Sequence, residues 1–243
     1  LVVVVTVVGD LSHAAPSSTS GTQRATAPPR ATIVFARGDA PRELYVATQR
    51  GMQYQVQRIT NTAAGEVDPS WSPDGERVAF QSDRDDPKGD IYIMDRDGTD
   101  VIRLTSSPGY DWQPRWSPNG EYIMWVRCMA SKFNIWLMDA DGSNKHQLTF
   151  LPKPDVMPDW APDSHWIVWS SQRNGNPEIY KMKIDNTGLT RLTNTAAAEY
   201  GPAWSPDGQR IVYARAEATG HPGDPEWAPQ HIWVMNADGT GQT

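Results

Sequence analysis

Apolar residues in this chain fall in short runs of about five, and the runs return in phase. Four segments, DPSWSPDGERVAF, QPRWSPNGEYIMW, MPDWAPDSHWIVW and GPAWSPDGQRIVY, begin around Trp71, Trp116, Trp160 and Trp204, which are 45, 44 and 44 residues apart. Nine residues after each tryptophan stands a second aromatic, Phe80, Trp125, Trp169 or Tyr213, and Phe35 extends that series backwards. Further runs centre on Leu44, Ile91, Ile135, Ile179 and Ile232, and short segments ending in Thr60, Thr105, Thr149 and Thr193 close the units. Runs of β-branched and aromatic residues at this length predict strands rather than helices. Ser-Pro-Asp-Gly, and later Asp97-Gly98, Asp141-Gly142, Thr187-Gly188 and Asp238-Gly239, provide turn chemistry between them. Proline presets φ, and glycine takes the left-handed position that tight hairpins require.

Four strands per unit at a period near 44 predict an all-β fold, a β-propeller of four-stranded antiparallel blades. We label the strands a to d, with a ending at the tryptophan. Five blade modules are visible, consistent with a five- or six-bladed ring. Ring closure looks incomplete, because Thr26 stands where the first unit needs its tryptophan and the last unit stops before its closing threonine. Strand a of the first blade and strand d of the last are expected to be absent or degenerate, with residues missing at the C-terminus.

The residues so assembled resemble the TolB-like propeller repeat, a WD-repeat-like family marked by Pro-x-Trp-Ser-Pro-Asp-Gly followed by Ile-Tyr-x-Met and Asp-Gly. The resemblance covers roughly residues 31–243. It implies an exported or envelope-associated propeller acting through protein contacts. It also admits the accessory domain of a serine peptidase or other hydrolase, and propeller lyases.

Composition narrows the function. The 243 residues carry 22 Lys and Arg against 29 Asp and Glu, a net charge of −7, with no basic block to meet a phosphate backbone, so no nucleic-acid partner is expected. One cysteine, Cys128, excludes an intrachain disulfide framework and CxxC metal or redox sites. Residues 1–15, which open on a valine-rich run, read as an export-signal or membrane-anchor remnant, or a strand held by a partner; residues 16–30 read as a Pro/Ser/Thr tether. A periplasmic or extracellular location follows, with membrane contact through residues 1–8 as one option.

Candidate chemistry is sparse. There is no Gly-x-Ser-x-Gly elbow, no His-Glu-x-x-His and no phosphate-binding glycine loop, and the five histidines do not recur from blade to blade. No catalytic residue, metal ligand or cofactor is therefore assigned; the Asp95–Asp100 stretch resembles a calcium loop but lacks its later Glu. The b–c connections, 38–42, 83–90, 128–134, 174–177 and 216–230, vary in length and share one face with the d–a connections. Partner binding is expected there. Its candidates are the acids five residues before each tryptophan, Glu66, Asp111, Asp155 and Glu199, read either as a carboxylate ring or as acceptors in their own turns. The others are His221, Asp224, Glu226 and Trp227 in the last insertion, where Trp227 is either an anchor or packed on its own blade. Arg37, Arg84, Arg127 and Arg173 recur near the end of strand b and read as structural. The sequence thus points to a non-catalytic docking subunit of an envelope complex. A hydrolase's accessory domain and a carbohydrate-binding propeller are the alternatives.

Overall fold

The computed structural model describes residues 6–8, 32–38, 41–216 and 230–243. These form five antiparallel sheets, one per repeat, with strands following chain order across each sheet. Blade 1 holds β1 (Thr6–Val8), β2 (Thr32–Arg37), β3 (Glu43–Arg50) and β4 (Gln53–Arg58). Blade 2 holds β5 (Glu66–Trp71), β6 (Arg77–Ser82), β7 (Asp90–Asp95) and β8 (Ile102–Arg103). Blade 3 holds β9 (Tyr110–Trp116), β10 (Tyr122–Met129), β11 (Lys132–Asp139) and β12 (His146–Gln147). Blade 4 holds β13 (Asp155–Trp160), β14 (Trp166–Ser171), β15 (Glu178–Lys183) and β16 (Thr190–Arg191), and blade 5 holds β17 (Ala198–Trp204), β18 (Arg210–Ala216) and β19 (Gln230–Asn236).

Each a–b turn is tied by its own sequence. In blade 2 the Ser72 hydroxyl accepts from the Arg77 N–H at 2.9 Å, the Asp74 carboxylate accepts from the Glu76 N–H at 3.0 Å, and Gly75 supplies a φ of 71°. The c–d turns use a shorter device, with Asp97, Asp141, Asp185 and Asp238 each accepting from the N–H two residues on. The stretch that resembles a calcium loop is the first of these turns, so its aspartates belong to a hairpin repeated in four blades.

The core is divided into four layers, one between each pair of successive blades. Val34, Leu44 and Val46 of blade 1 pack on Trp71, Phe80 and Tyr92 of blade 2, and the same arrangement recurs down the chain. Trp125 and Trp169, the strand-b aromatics, are fully buried. Two further contacts join blades. In blades 2, 3 and 5 the c–d turn glycine packs against the residue that follows strand d of the blade before, Gly98 against the Ile59 carbonyl, Gly142 against the Leu104 side chain and Gly239 against the Leu192 carbonyl. Innermost strands bond one another through side chains: Ser70 Oγ accepts from the Trp116 N–H at 3.1 Å, and Asp159 from the Trp204 N–H at 2.8 Å.

Strand a carries a bulge at one repeated point. Asp68, Gln113, Met157 and Gly201 each precede the repeat proline, each has a φ of 50–56°, and the a–b register slips there. A proline excludes the residue before it from the right-handed helical region. The strand takes up the extra residue through the left-handed conformation instead.

Two expectations are corrected. Blade 1 does have an inner strand, supplied by residues 6–8 paired with Thr32–Val34 rather than by the sequence near Thr26. That gives residues 6–8 a place in the sheet. In blade 5 strand d is degenerate, as the sequence predicts: the sheet has three strands, and Thr243 alone exchanges two backbone bonds with Val234. Finally, residues 128–134 are not an open loop: β10 and β11 run on to a two-residue turn at Ala130 and Ser131, both with positive φ.

Candidate functional site

The four repeat acids open strand a of blades 2 to 5, and all four are fully buried. Each is met by an arginine from the end of its own strand b. Arg127 grips Asp111 with both nitrogens, at 2.7 and 2.8 Å, and the Trp125 indole N–H donates to the same carboxylate at 3.1 Å. Arg84 meets Glu66 at 3.1 Å, Arg173 meets Asp155 at 3.4 Å, and Arg215 meets Glu199 at 3.8 Å. The guanidiniums also lie over the strand-b and strand-c aromatics, Arg127 over Trp125 and Trp136, Arg173 over Trp169 and Tyr180. A planar delocalised cation suits both partners at once. The carboxylates are therefore not an open ring at a channel mouth. They are taken up inside the blades, because a buried acid needs a cation or donors at hand.

A second buried set was not anticipated. Glu43, Asp90 and Glu178 begin strand c, and each pairs with an arginine of strand d, Arg58, Arg103 or Arg191. The repeat threonines complete it: Thr60, Thr105 and Thr193 accept from the N–H that follows each acid, at 2.8–2.9 Å. In blade 3 the same positions hold Asn134 and Gln147, so acid and arginine are replaced together by amides.

The two sets meet at blade junctions. Thr195 donates its N–H to Glu178 of blade 4 at 3.0 Å and its hydroxyl to Glu199 of blade 5 at 2.6 Å. Thr62 does the same for Glu43 and Glu66, at 3.2 and 2.6 Å. Burial, and then the neighbouring Glu178 carboxylate, push the Glu199 pKa up to about 7 against the opposing Thr195 hydroxyl and Arg215. The other Oε2 atoms of this pair find no ordinary donor, which fits one proton shared between them.

That proton has a measurable consequence. An unfolded glutamate ionises near 4.5, so between about pH 4.5 and 7 the folded chain holds a proton that the unfolded chain has lost. Stability contributed by this group is full below that window and falls as pH rises through it. Glu199→Gln keeps a donor for Glu178 without the ionisation. We expect its urea-denaturation stability to vary less across this range and to exceed the parent's at pH 8 by about 1–2 kcal/mol. Equal pH slopes for parent and variant would refute the shared proton.

What differs between blades lies on the b–c face. Blade 3 projects the β10–β11 hairpin, and at its base Tyr110, Trp112 and Phe133 form a half-buried aromatic cluster, with ring centroids 5.5 and 5.7 Å apart, beside exposed Met129. The signal in the sequence was the pair of aromatics flanking Asp111. His221, Asp224, Glu226 and Trp227 of the last insertion lie outside the described residues. Among the described residues, no three His, Cys, Asp or Glu side chains gather as a metal site.

The model of the TolB beta propeller domain family matches residues 25–150 and 114–221. No curated protein matches the chain. A TolB structure from Agrobacterium tumefaciens is similar at TM-score 0.74 and 24% identity, over 87% of this chain and 75% of that one. TolB from Acinetobacter baumannii is similar at TM-score 0.64 and 19% identity, over 87% and 62%. A puromycin-hydrolyzing peptidase of Mycobacterium tuberculosis matches at 0.63 and 16%, over 88% of this chain and 36% of its own. At these identities the structural likeness is one of fold alone.

Proposed function

The chain belongs to the TolB β-propeller family, and from that premise we propose that it is a non-catalytic docking scaffold, exported to the cell envelope, that binds a protein partner through its b–c face. One observation carries the reading. The polar residues that recur from blade to blade are consumed by internal pairs, while the residues that differ are gathered on one face of a rigid frame. Recognition surfaces are typically such variable loops on a fixed scaffold, with aromatic anchors at their centre. The aromatic cluster of blade 3 is one part of that surface, and the 216–230 connection, taken from the sequence alone, is proposed as the other. Partner contacts through the acids Glu66, Asp111, Asp155 and Glu199 are not part of it, since they are buried.

A photo-crosslinking residue tests this. Placed at Met129 or Trp227 it is expected to capture a discrete polypeptide in the native envelope; placed at the exposed c–d turn residues Asp97 or Asp141, on the opposite face, it is expected to capture none. Capture from the turn face alone would overturn the assignment of the surface. A partner that proves to be a hydrolase domain would favour the accessory-domain reading instead.

A further inference from the structure

Blades 2, 3 and 4 end in outer strands of two residues each, too short to template another chain. Blade 1 does not. Its outer strand β4 has six residues, all exposed, and is joined to β3 by a two-residue turn at Gly51 and Met52. Among the described residues nothing pairs with its far edge.

The ladder fixes what that edge presents. The Ile59 N–H bonds the Leu44 carbonyl at 2.9 Å, so alternate residues back along the strand, Gln57, Gln55 and Gln53, turn their backbone groups toward β3. Tyr54 and Val56 turn theirs outward. Both side chains are half-exposed, at 50% each. Between residues 53 and 57 the edge has no lysine, proline or bulge, the usual guards of an open strand.

The sequence of the edge, Gln-Tyr-Gln-Val-Gln, has the same polar–apolar order in both directions. We propose that β4 pairs with β4 of a second copy of this chain, antiparallel, about a two-fold axis through Gln55. Tyr54 then stands opposite Val56 of the second copy, and the two exchange both backbone bonds; symmetry repeats the pair. An aromatic opposite a β-branched residue is a favourable cross-strand pair. Gln53 faces Gln57 of the second copy, and Gln55 faces its own equivalent. Arg58 falls opposite Met52 of the second copy, whereas parallel in-register pairing would set Arg58 against Arg58. Charge therefore favours the antiparallel pairing, which closes about its two-fold axis as a dimer. A single strand pair buries little area, so the dimer is weak and concentration-dependent.

Sedimentation velocity on the whole chain across a concentration series tests this, with Val56→Pro and Gln55→Lys as variants. Val56→Pro removes an outward N–H and leaves the β3–β4 bonds in place; Gln55→Lys sets two cations face to face on the axis. The parent is expected to shift from monomer to dimer with concentration, and both variants to remain monomeric with the parent's circular dichroism and melting temperature. If the proline variant fails to fold, the lysine variant alone carries the comparison. In a Cys128→Ser background, Gln55→Cys is expected to form a disulfide-linked dimer under mild oxidation, because its equivalents face each other in a non-hydrogen-bonded pair. A parent that stays monomeric throughout, a dimer that survives Gln55→Lys, or growth of open aggregates in place of a dimer would overturn the proposal.

Discussion

Asp111→Ala is expected to destabilise the chain by about 3–5 kcal/mol, the loss typical when one partner of a buried ion pair is removed. Asp111 is fully buried and accepts from four donors: Arg127 Nε, Arg127 Nη2, Trp125 Nε1 and, at 3.5 Å, the Ser107 hydroxyl. Alanine leaves an arginine that is only 8% exposed with no counter-charge, its guanidinium lying over two adjacent tryptophan rings. For a chain of this size the melting temperature should fall by roughly 10 °C, since each kcal/mol moves it by about 2–4 °C. The double variant Asp111→Ala with Arg127→Met should recover much of the loss, because methionine covers the two rings without a charge. Urea denaturation of the four chains, read as a double-mutant cycle, measures this. If the double variant is no more stable than Asp111→Ala alone, the stranded cation is not the cause.

Gly98→Ala is expected to be nearly as damaging, by about 3–4 kcal/mol, for a reason that involves no charge. Gly98 has a φ of 93°, and a Cβ built there would lie 2.0 Å from the Ile59 carbonyl oxygen of the preceding blade. The side chain must therefore both adopt a strained backbone and push two blades apart. Gly51→Ala is the control. Its φ of 65° imposes similar strain, but nothing lies within 4 Å of the added atom, so about 1 kcal/mol is expected. Similar losses for the two alanines would mean that blade spacing at Gly98 is soft.

The blades were legible because the sequence repeats what they repeat. Trp71, Trp116, Trp160 and Trp204 mark strand a without ambiguity, and the Asp-Gly hairpins follow. The inner strand of blade 1 was not legible, because residues 6–8 lie far from β2 in the chain and carry no tryptophan. The hairpin at Ala130 and Ser131 was hidden for a local reason: neither residue is a usual positive-φ former, yet both adopt it. At the candidate site, the acids were found by spacing but misjudged in environment, because a lone Asp or Glu in a connecting segment reads as solvated. The correcting signal was present in the repeats. Each acid has an arginine 16 or 18 residues later, including Arg215, which the strand-b arginine series had omitted. The strand-c acids announce themselves likewise, since the one blade with Asn134 in place of the acid also has Gln147 in place of the arginine. Comparison of repeats within one chain thus stands in for comparison between chains.

The junction threonines bear on how such a chain lengthens. Thr62 and Thr195 each clasp the strand-c acid of one blade and the strand-a acid of the next. The clasp closes the junctions between blades 1 and 2 and between blades 4 and 5, whereas Ser107 reaches Asp111 alone between blades 2 and 3 and Leu151 holds the place between blades 3 and 4. What every blade from the second to the fifth keeps to itself is the pair of its strand-a acid and its own arginine, so a blade gained or lost in phase by unequal recombination takes both charges with it, whereas an out-of-phase insertion would part them and bury a carboxylate alone.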